Sequence, residues 1–98
     1  MKRHRLQRRY GHAKRLSARE NDVVMRAAVE LMMGKRLEVH GKAGLIIYMG
    51  SERHERRDPF WYEGPGGRTH KERPEEVVRA VLPHVGFDAI DHAKVLEA

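Results

Sequence analysis

Residues 17–34 read SARENDVVMRAAVELMMG and predict the main core helix of the protein. Ser17 and Glu20 have the spacing of a capping box, in which each side chain accepts a hydrogen bond from the other residue's backbone N–H. Gly34 stands where helices commonly end in a left-handed residue, and two basic residues follow it. Between these ends, apolar residues at helical spacing form one broad arc: Val24, Met25, Ala27, Ala28, Leu31 and Met32.

After Gly34 the apolar pattern changes from a helical period to alternation. Leu37 and Val39 alternate with polar residues over 36–40, and an apolar run follows over 45–49. The glycine-bounded segment 41–44 joins the two into a predicted hairpin. A second hairpin is predicted from the aromatic segment 60–63, the glycine-rich segment 64–67 and the polar segment 68–72. These segments predict a small antiparallel β-meander of three or four strands, packed on the first helix.

The C-terminal part of the chain predicts two short helices. Pro74, followed by Glu75 and Glu76, starts the first of them, and Pro83 should end it within one or two residues. Asp88 is placed to cap a last helix over residues 89–96. The predicted fold class is therefore α+β, with an N-terminal basic arm over residues 1–16 and a single compact domain over residues 17–98.

Cysteine content and hydropathy exclude several classes of protein. The sequence contains no cysteine, which excludes disulfides, thiolate metal sites and a cysteine nucleophile. Small secreted domains usually depend on disulfides, so we expect a cytoplasmic protein, or one inside a particle assembled in the cytoplasm. No apolar run approaches the roughly 20 residues that span a bilayer, and we expect no membrane partner. An arginine-rich organellar transit peptide stays open as an alternative, although serine is scarce in the arm.

The positive charge is concentrated at the N-terminus. The formal net charge is +6 at pH 7, and residues 1–16 alone carry +7 because they contain no acid. The rest of the chain therefore carries −1. This asymmetry indicates an interaction tail. The basic residues of the arm are Lys2, Arg3, Arg5, Arg8, Arg9, Lys14 and Arg15.

Phosphate binding is the function that we predict for this arm. Each lysine or arginine that neutralises a phosphate releases condensed counterions, and an arginine fork can bind a phosphate through two hydrogen bonds. Tyr10 is a candidate for stacking on a base. Two alternatives stay open, namely docking of the arm on an acidic protein and a passive tail that aids solubility.

The aromatic segment 60–62, with basic residues on both sides, is the candidate for a second contact surface. On a strand, Phe60 and Tyr62 share one face and Trp61 occupies the other. Trp61 could therefore stack on a base while neighbouring arginines hold phosphates. The alternative is that the aromatic residues fill a small core. The predicted second surface comprises Arg56, Arg57, Trp61 and Arg68.

Histidine chemistry offers weaker candidates. The seven histidines include no closely spaced pair, so the sequence predicts no metal site, and it contains no motif for another cofactor. His54, with Glu55 and Arg56 beside it, supplies the residue types of acid–base cleavage of a phosphodiester. Charged residues make up 35% of the chain, however, so such neighbours arise by chance. We predict no enzymatic activity, with a small nuclease that uses His54 as an alternative.

These patterns together predict a non-catalytic accessory protein that binds nucleic acid. The principal alternative is a structural or interaction protein, such as a phage-particle component or a macromolecular inhibitor, whose arm docks on an acidic partner. Met33, on the polar side of the predicted core helix, is a further candidate contact in that case. Homo-oligomerisation and the choice between DNA and RNA stay open.

Overall fold

The computed structural model describes residues 16–52 and 57–96 of the chain. Its elements are, in order, α1 (Ala18–Met32), β1 (Arg36–His40), a 3₁₀ turn (Lys42–Gly44), β2 (Ile46–Ser51), β3 (Phe60–Gly64), β4 (Gly67–Lys71), α2 (Pro74–Val85), α3 (Phe87–Asp91) and β5 (Lys94–Leu96). The fold is a small α+β arrangement of five antiparallel strands and three helices in this part of the chain. None of these helices combines the length and the apolar character needed to cross a membrane.

Local sequence signals set both ends of α1. The Glu20 N–H donates to Ser17 Oγ at 3.1 Å, and the Ser17 N–H donates to Glu20 Oε1 at 3.0 Å, so the capping box is complete. At the other end Gly34 takes a φ of +84°, which only glycine adopts at little cost. Its N–H donates to the carbonyl of Leu31 at 3.0 Å. The chain can therefore leave the helix here and begin β1 at Arg36, two residues later.

The buried side of α1 is narrower than the predicted arc. Met25 and Met32, which the sequence placed in that arc, are 43% and 65% exposed. Val23, which the predicted arc left out, is buried. The reason is that α1 packs against α2, α3 and the sheet from one side only, so residues at the edges of a broad apolar arc are left uncovered. The buried residues of α1 are Val23, Val24, Ala27, Ala28 and Leu31.

The sheet has the strand order β4-β3-β2-β1-β5, and all of its pairs are antiparallel. Leu37 and Val39 of β1 lie opposite Met49 and Ile47 of β2, and all four side chains are buried. They join the buried residues of the three helices in one hydrophobic cluster. All described helices therefore cover the same face of the sheet, and side chains at alternate positions point to the other face.

The prediction for the C-terminus is wrong in one element. Residues 89–96 were expected to form a helix, but α3 ends at Asp91 and residues 94–96 form the strand β5. This strand pairs with β1, placing Val95 opposite Leu37 and Lys94 opposite Glu38. Without β5, β1 would be an edge strand with unpaired backbone N–H and C=O groups. Pairing across a long sequence separation thus overrides the local helical pattern.

The helix α2 follows the predicted limits more closely. It begins at Pro74, and the Glu76 side chain accepts a hydrogen bond from the Arg73 N–H at 3.0 Å. It ends at Val85, two residues after Pro83. Gly86 then takes a φ of +90°, which separates α2 from α3. These turns bring α3 back over α1 and lead the chain to the β1 edge of the sheet.

Candidate functional site

The face of the sheet that points away from the helices is called the open face here. Strand register decides which side chains it carries, because residues that lie opposite each other on neighbouring strands point to the same side. No element of the described part of the chain packs over it. The residues of the open face that bear on function are Arg36 and Glu38 on β1, Tyr48 and Gly50 on β2, Trp61 and Glu63 on β3, Arg68 and His70 on β4, and Lys94 on β5.

Trp61 is buried although it lies on the open face. Its side chain is only 4% exposed, and it stands outside the main hydrophobic cluster. Gly50, directly opposite on β2, makes this possible because the indole lies against its backbone. A Cβ atom on residue 50 would lie 2.5 Å from Cζ2 of the indole, which is closer than real Cβ atoms approach. The lack of a side chain at Gly50 is therefore what lets the indole lie flat on the sheet.

An arginine covers the outer side of this indole. The guanidinium carbon of Arg68 lies 3.7 Å from the centroid of the Trp61 ring, within the range of a strong cation–π contact. Arg36 approaches from β1, with its guanidinium carbon 5.9 Å from the Trp61 ring and 5.8 Å from the Tyr48 ring. The centre of the open face is therefore a layer of two aromatic rings and two guanidinium groups.

Carboxylates hold the Arg68 guanidinium in its orientation. Its Nε and Nη2 atoms each lie 2.8 Å from Glu63 Oε1, and Nη1 lies 3.6 Å from Glu52 Oε2. The same Glu52 oxygen lies 3.2 Å from His70 Nε2. Because these partners engage the in-plane donors, the flat outer surface of Arg68 is the part left towards solvent, and its side chain is 38% exposed.

Charge is distributed unevenly across the open face. On its β1–β5 side, Arg36 and Lys94 form no ion pair with any carboxylate of residues 16–52 and 57–96, and the nearby Glu38 hydrogen-bonds to His40 at 3.0 Å. On the β3–β4 side, two glutamates surround one arginine. The cations of the β1–β5 side therefore have no carboxylate partner in the described ranges, whereas the guanidinium of Arg68 on the β3–β4 side is already engaged by carboxylates.

The structure brings two of the predicted contact residues together and leaves most of the others undescribed. Trp61 and Arg68 form the stack at the centre of the open face. Arg57 is exposed in the chain that leads to β3. Phe60 and Tyr62 lie on the opposite face and pack against the core, as alternation along a strand requires. The predicted residues outside the described ranges are Lys2, Arg3, Arg5, Arg8, Arg9, Tyr10, Lys14, Arg15 and Arg56.

Three residues of this surface, Arg36, Tyr48 and Lys94, are not among the contact residues predicted from the sequence. The sequence places Arg36 on the polar side of a predicted strand, next to the end of α1, and Lys94 in a predicted helix. The alternation in residues 36–40 indicates that Arg36 lies on the polar side of its strand, whereas the apolar run 45–49 carries no such signal for Tyr48. Their position near Trp61, however, follows from the pairing of β1, β2 and β3, which single-strand patterns do not specify.

Neither a candidate metal site nor the predicted acid–base residues lie in the described part of the chain. Residues 16–52 and 57–96 contain no group of three or more histidine, aspartate or glutamate side chains able to hold a metal ion. His54 and Glu55, which carry the nuclease alternative, lie outside these ranges. The pair of His70 and Glu52 is part of the network that orients Arg68.

A second surface lies on the outer side of α1. Met25, Val29 and Met32 follow one another at helical spacing, and Met33 continues the patch. Their exposed fractions are 43%, 47%, 65% and 63%, respectively. The methionine side chain is flexible and polarisable, so such a patch can adapt to an apolar partner surface. It lies on the helical side of the protein, away from the open face.

Comparison with known proteins gives no relative from which a function could be transferred. No protein-family model matches the chain, and neither a curated protein nor a solved structure matches it significantly.

Proposed function

We propose that this protein is a non-catalytic nucleic-acid-binding protein that holds phosphates with its basic arm, residues 1–16. The observation that carries the proposal is the separation of charge, +7 in the arm and −1 in the rest of the chain. A chain that needed positive charge only for solubility would gain as much from charges spread over its surface. Concentration in one acid-free segment favours contact with a polyanion.

Counterion release supplies the driving force for such binding. Each phosphate that a cation neutralises releases part of the condensed counterion atmosphere, and this gain does not depend on base sequence. Arginine makes up five of the seven basic residues of the arm and suits bidentate contacts with phosphate oxygens. The proposed activity is therefore general affinity for the nucleic-acid backbone. We propose that it acts in the cytoplasm or in a particle assembled there.

A pair of matched charge variants tests the proposal. In the arm variant, glutamine replaces Arg5, Arg8 and Arg9. In the control variant, glutamine replaces Arg19, Lys42 and Arg79. Each variant removes three positive charges, and the control residues are exposed and form no ion pair with the described carboxylates. We expect the arm variant to bind a labelled oligonucleotide about 100-fold more weakly at ~0.1 M salt, because three phosphate contacts are lost.

The control variant should bind within about threefold of the unchanged protein, since its charges lie outside the proposed contact segment and salt screens their longer-range contribution. Equal weakening of binding in both variants would contradict a specific role for the arm, because it would show that only net charge matters. Fluorescence anisotropy of the labelled oligonucleotide measures both affinities.

The exposed patch of α1 favours a second candidate function, that of a structural or interaction protein. Met25, Val29, Met32 and Met33 offer an apolar surface for a partner, while the basic arm docks on an acidic region of the same partner. Stable co-purification with one protein after nuclease treatment favours this candidate. Replacing Met32 with lysine should then abolish co-purification and leave the affinity for nucleic acid unchanged.

A further inference from the structure

We propose that the open face binds a single-stranded nucleic acid, with Arg36 and Lys94 holding phosphates and with Tyr48 and the outer surface of Arg68 stacking on bases. This inference rests on the proposed function and assigns a second contact surface to it. It also changes the role of Trp61 from a direct stacking residue to the support beneath Arg68.

The position of Arg68 determines what a base can touch at the centre of the open face. The Trp61 ring is buried under the Arg68 guanidinium, 3.7 Å from the ring centroid. Contacts to Glu63 and Glu52 engage the in-plane donors of this guanidinium, so it presents a flat outer surface instead of a fork for phosphate. Guanidinium planes stack on unpaired bases much as aromatic rings do. A base therefore extends the stack that Trp61 and Arg68 begin.

Tyr48 provides a second stacking position next to the first. It is partly exposed on β2, and its cross-strand neighbour Glu63 on β3 engages Arg68. Aromatic rings on a sheet bind successive bases without sequence preference, because every base has a flat π-face. Tyr48 lies on β2, and the Trp61 ring that supports the Arg68 guanidinium lies on the adjacent strand β3, so the two positions are side by side on the sheet. They can therefore hold neighbouring bases of one strand.

The uneven charge of the open face orients the strand. Arg36 and Lys94 supply positive charge on the β1–β5 side, whereas the arginine of the β3–β4 side, Arg68, is already engaged by Glu63 and Glu52. A sugar–phosphate backbone is therefore attracted more strongly to the first side. The distance from β1 to β3 is two strand spacings, about 10 Å. A backbone that follows β1 thus directs its bases over β2, which carries Tyr48, and β3, where the Arg68 guanidinium covers Trp61.

The shape of this surface selects an unpaired strand. The stacking surfaces are planar side-chain groups on an uncovered sheet face, and in a duplex the faces of the bases are hidden by the neighbouring base pairs. Only bases that leave the stack can contact Tyr48 and Arg68 face to face. The preferred ligand is therefore single-stranded DNA or RNA, bound through its backbone and base faces with little sequence preference.

Point variants of the full chain test this inference with oligo(dT) of 12 nucleotides as the probe. We expect Tyr48→Leu to weaken binding by about 5- to 100-fold, the cost of one lost base stack, and Tyr48→Phe to restore it. Arg36→Gln should weaken binding and lower the steepness of the logarithmic salt dependence by about 0.7, as expected for one phosphate contact to a single strand. Arg79→Gln, on the exposed side of α2, is the matched control and should change neither quantity.

Intrinsic fluorescence gives an independent readout because Trp61 is the only tryptophan of the chain. We expect oligo(dT) to change the emission of Trp61 at saturation, and duplex DNA at equal occupancy to leave it unchanged. Thermal unfolding of each variant shows whether the sheet is intact, and the comparison of Tyr48→Leu with Tyr48→Phe separates stacking from stability.

The results distinguish failure of this inference from failure of the proposed function. If the unchanged protein binds oligo(dT) but Tyr48→Leu and Arg36→Gln bind within twofold of it, the open face is not the contact surface, and the arm acts alone. A preference for duplex DNA without a change in Trp61 emission would likewise overturn the inference. If the unchanged protein binds neither ligand at ~50 mM salt, the proposed function itself is wrong.

Discussion

Gly50→Ala is expected to lower the free energy of unfolding by about 2 kcal/mol, within the usual range for an overpacked site. The added Cβ atom would stand 2.5 Å from Cζ2 of Trp61, so the indole has to leave its position on the sheet. Movement of the indole also separates it from the Arg68 guanidinium that covers it. Denaturant unfolding followed by circular dichroism measures the loss of stability, and the Trp61 emission of the folded variant should shift towards that of exposed indole.

Gly66→Ala is the matched control for this prediction. Gly66 lies in the β3–β4 turn, where an added Cβ atom meets nothing within 4 Å, and its φ is outside the left-handed range. The same change of residue type should therefore alter stability by no more than about 0.5 kcal/mol. If Gly50→Ala were as stable as Gly66→Ala and kept the original emission, the indole could not lie against residue 50. The arrangement of the open face would then be wrong.

The affinity of the unchanged protein for a single strand is expected to fall about 10³-fold between 50 and 200 mM salt. If each of the seven basic residues of the arm neutralises one phosphate, the logarithmic slope against salt is about −5 for single strands. Contacts by Arg36 and Lys94 on the open face would make the slope steeper by about 1.4. Anisotropy titrations of a labelled oligonucleotide at four salt concentrations measure this slope.

A slope shallower than about −2 would contradict the prediction, because it would mean that few phosphates are neutralised at once. The arm variant with three glutamines provides the internal comparison. Its slope should be shallower than that of the unchanged protein by about 2, whereas the control variant with three body charges removed should keep the full slope.

The elements that could be predicted are those set by short-range chemistry. The capping box of Ser17 and Glu20 and the left-handed Gly34 define α1 within a few residues of the chain. Both hairpins are predicted from strand-like segments on either side of a glycine-containing turn, and the structure contains both. In each case the signal lies within the element that it specifies, so a single segment of the chain is enough to predict the element.

The elements that could not be predicted depend on contacts between distant parts of the chain. Local patterning placed residues 94–96 in a helix, and the unpaired edge of β1 draws them into a strand instead. Met25 and Met32 have the apolar spacing of core residues, but the extent of the sheet and of α2 decides that they stay exposed. Neither the strand over residues 94–96 nor the exposure of the two methionines can be predicted from the local sequence alone.

The candidate site shows the same division between local and long-range information. The concentration of charge in the arm can be counted from the sequence, and alternation around Trp61 separates it from Phe60 and Tyr62. The sequence does not reveal that Gly50 lies opposite Trp61 and that Arg68 covers its ring. Strand register specifies these contacts, and a shift of one residue would exchange the two faces of the strand.

Removal of residues 1–15 tests the central claim most directly. The shortened chain loses all seven basic residues of the arm and keeps both Leu16, which packs against the core, and the capping box of Ser17. Circular dichroism and thermal unfolding establish that the remaining domain is folded, and anisotropy titration against the same oligonucleotide compares its affinity with that of the full chain at ~0.1 M salt. Our account predicts that the affinity falls by a factor of about 10³ or more. An affinity equal to that of the full chain would contradict it.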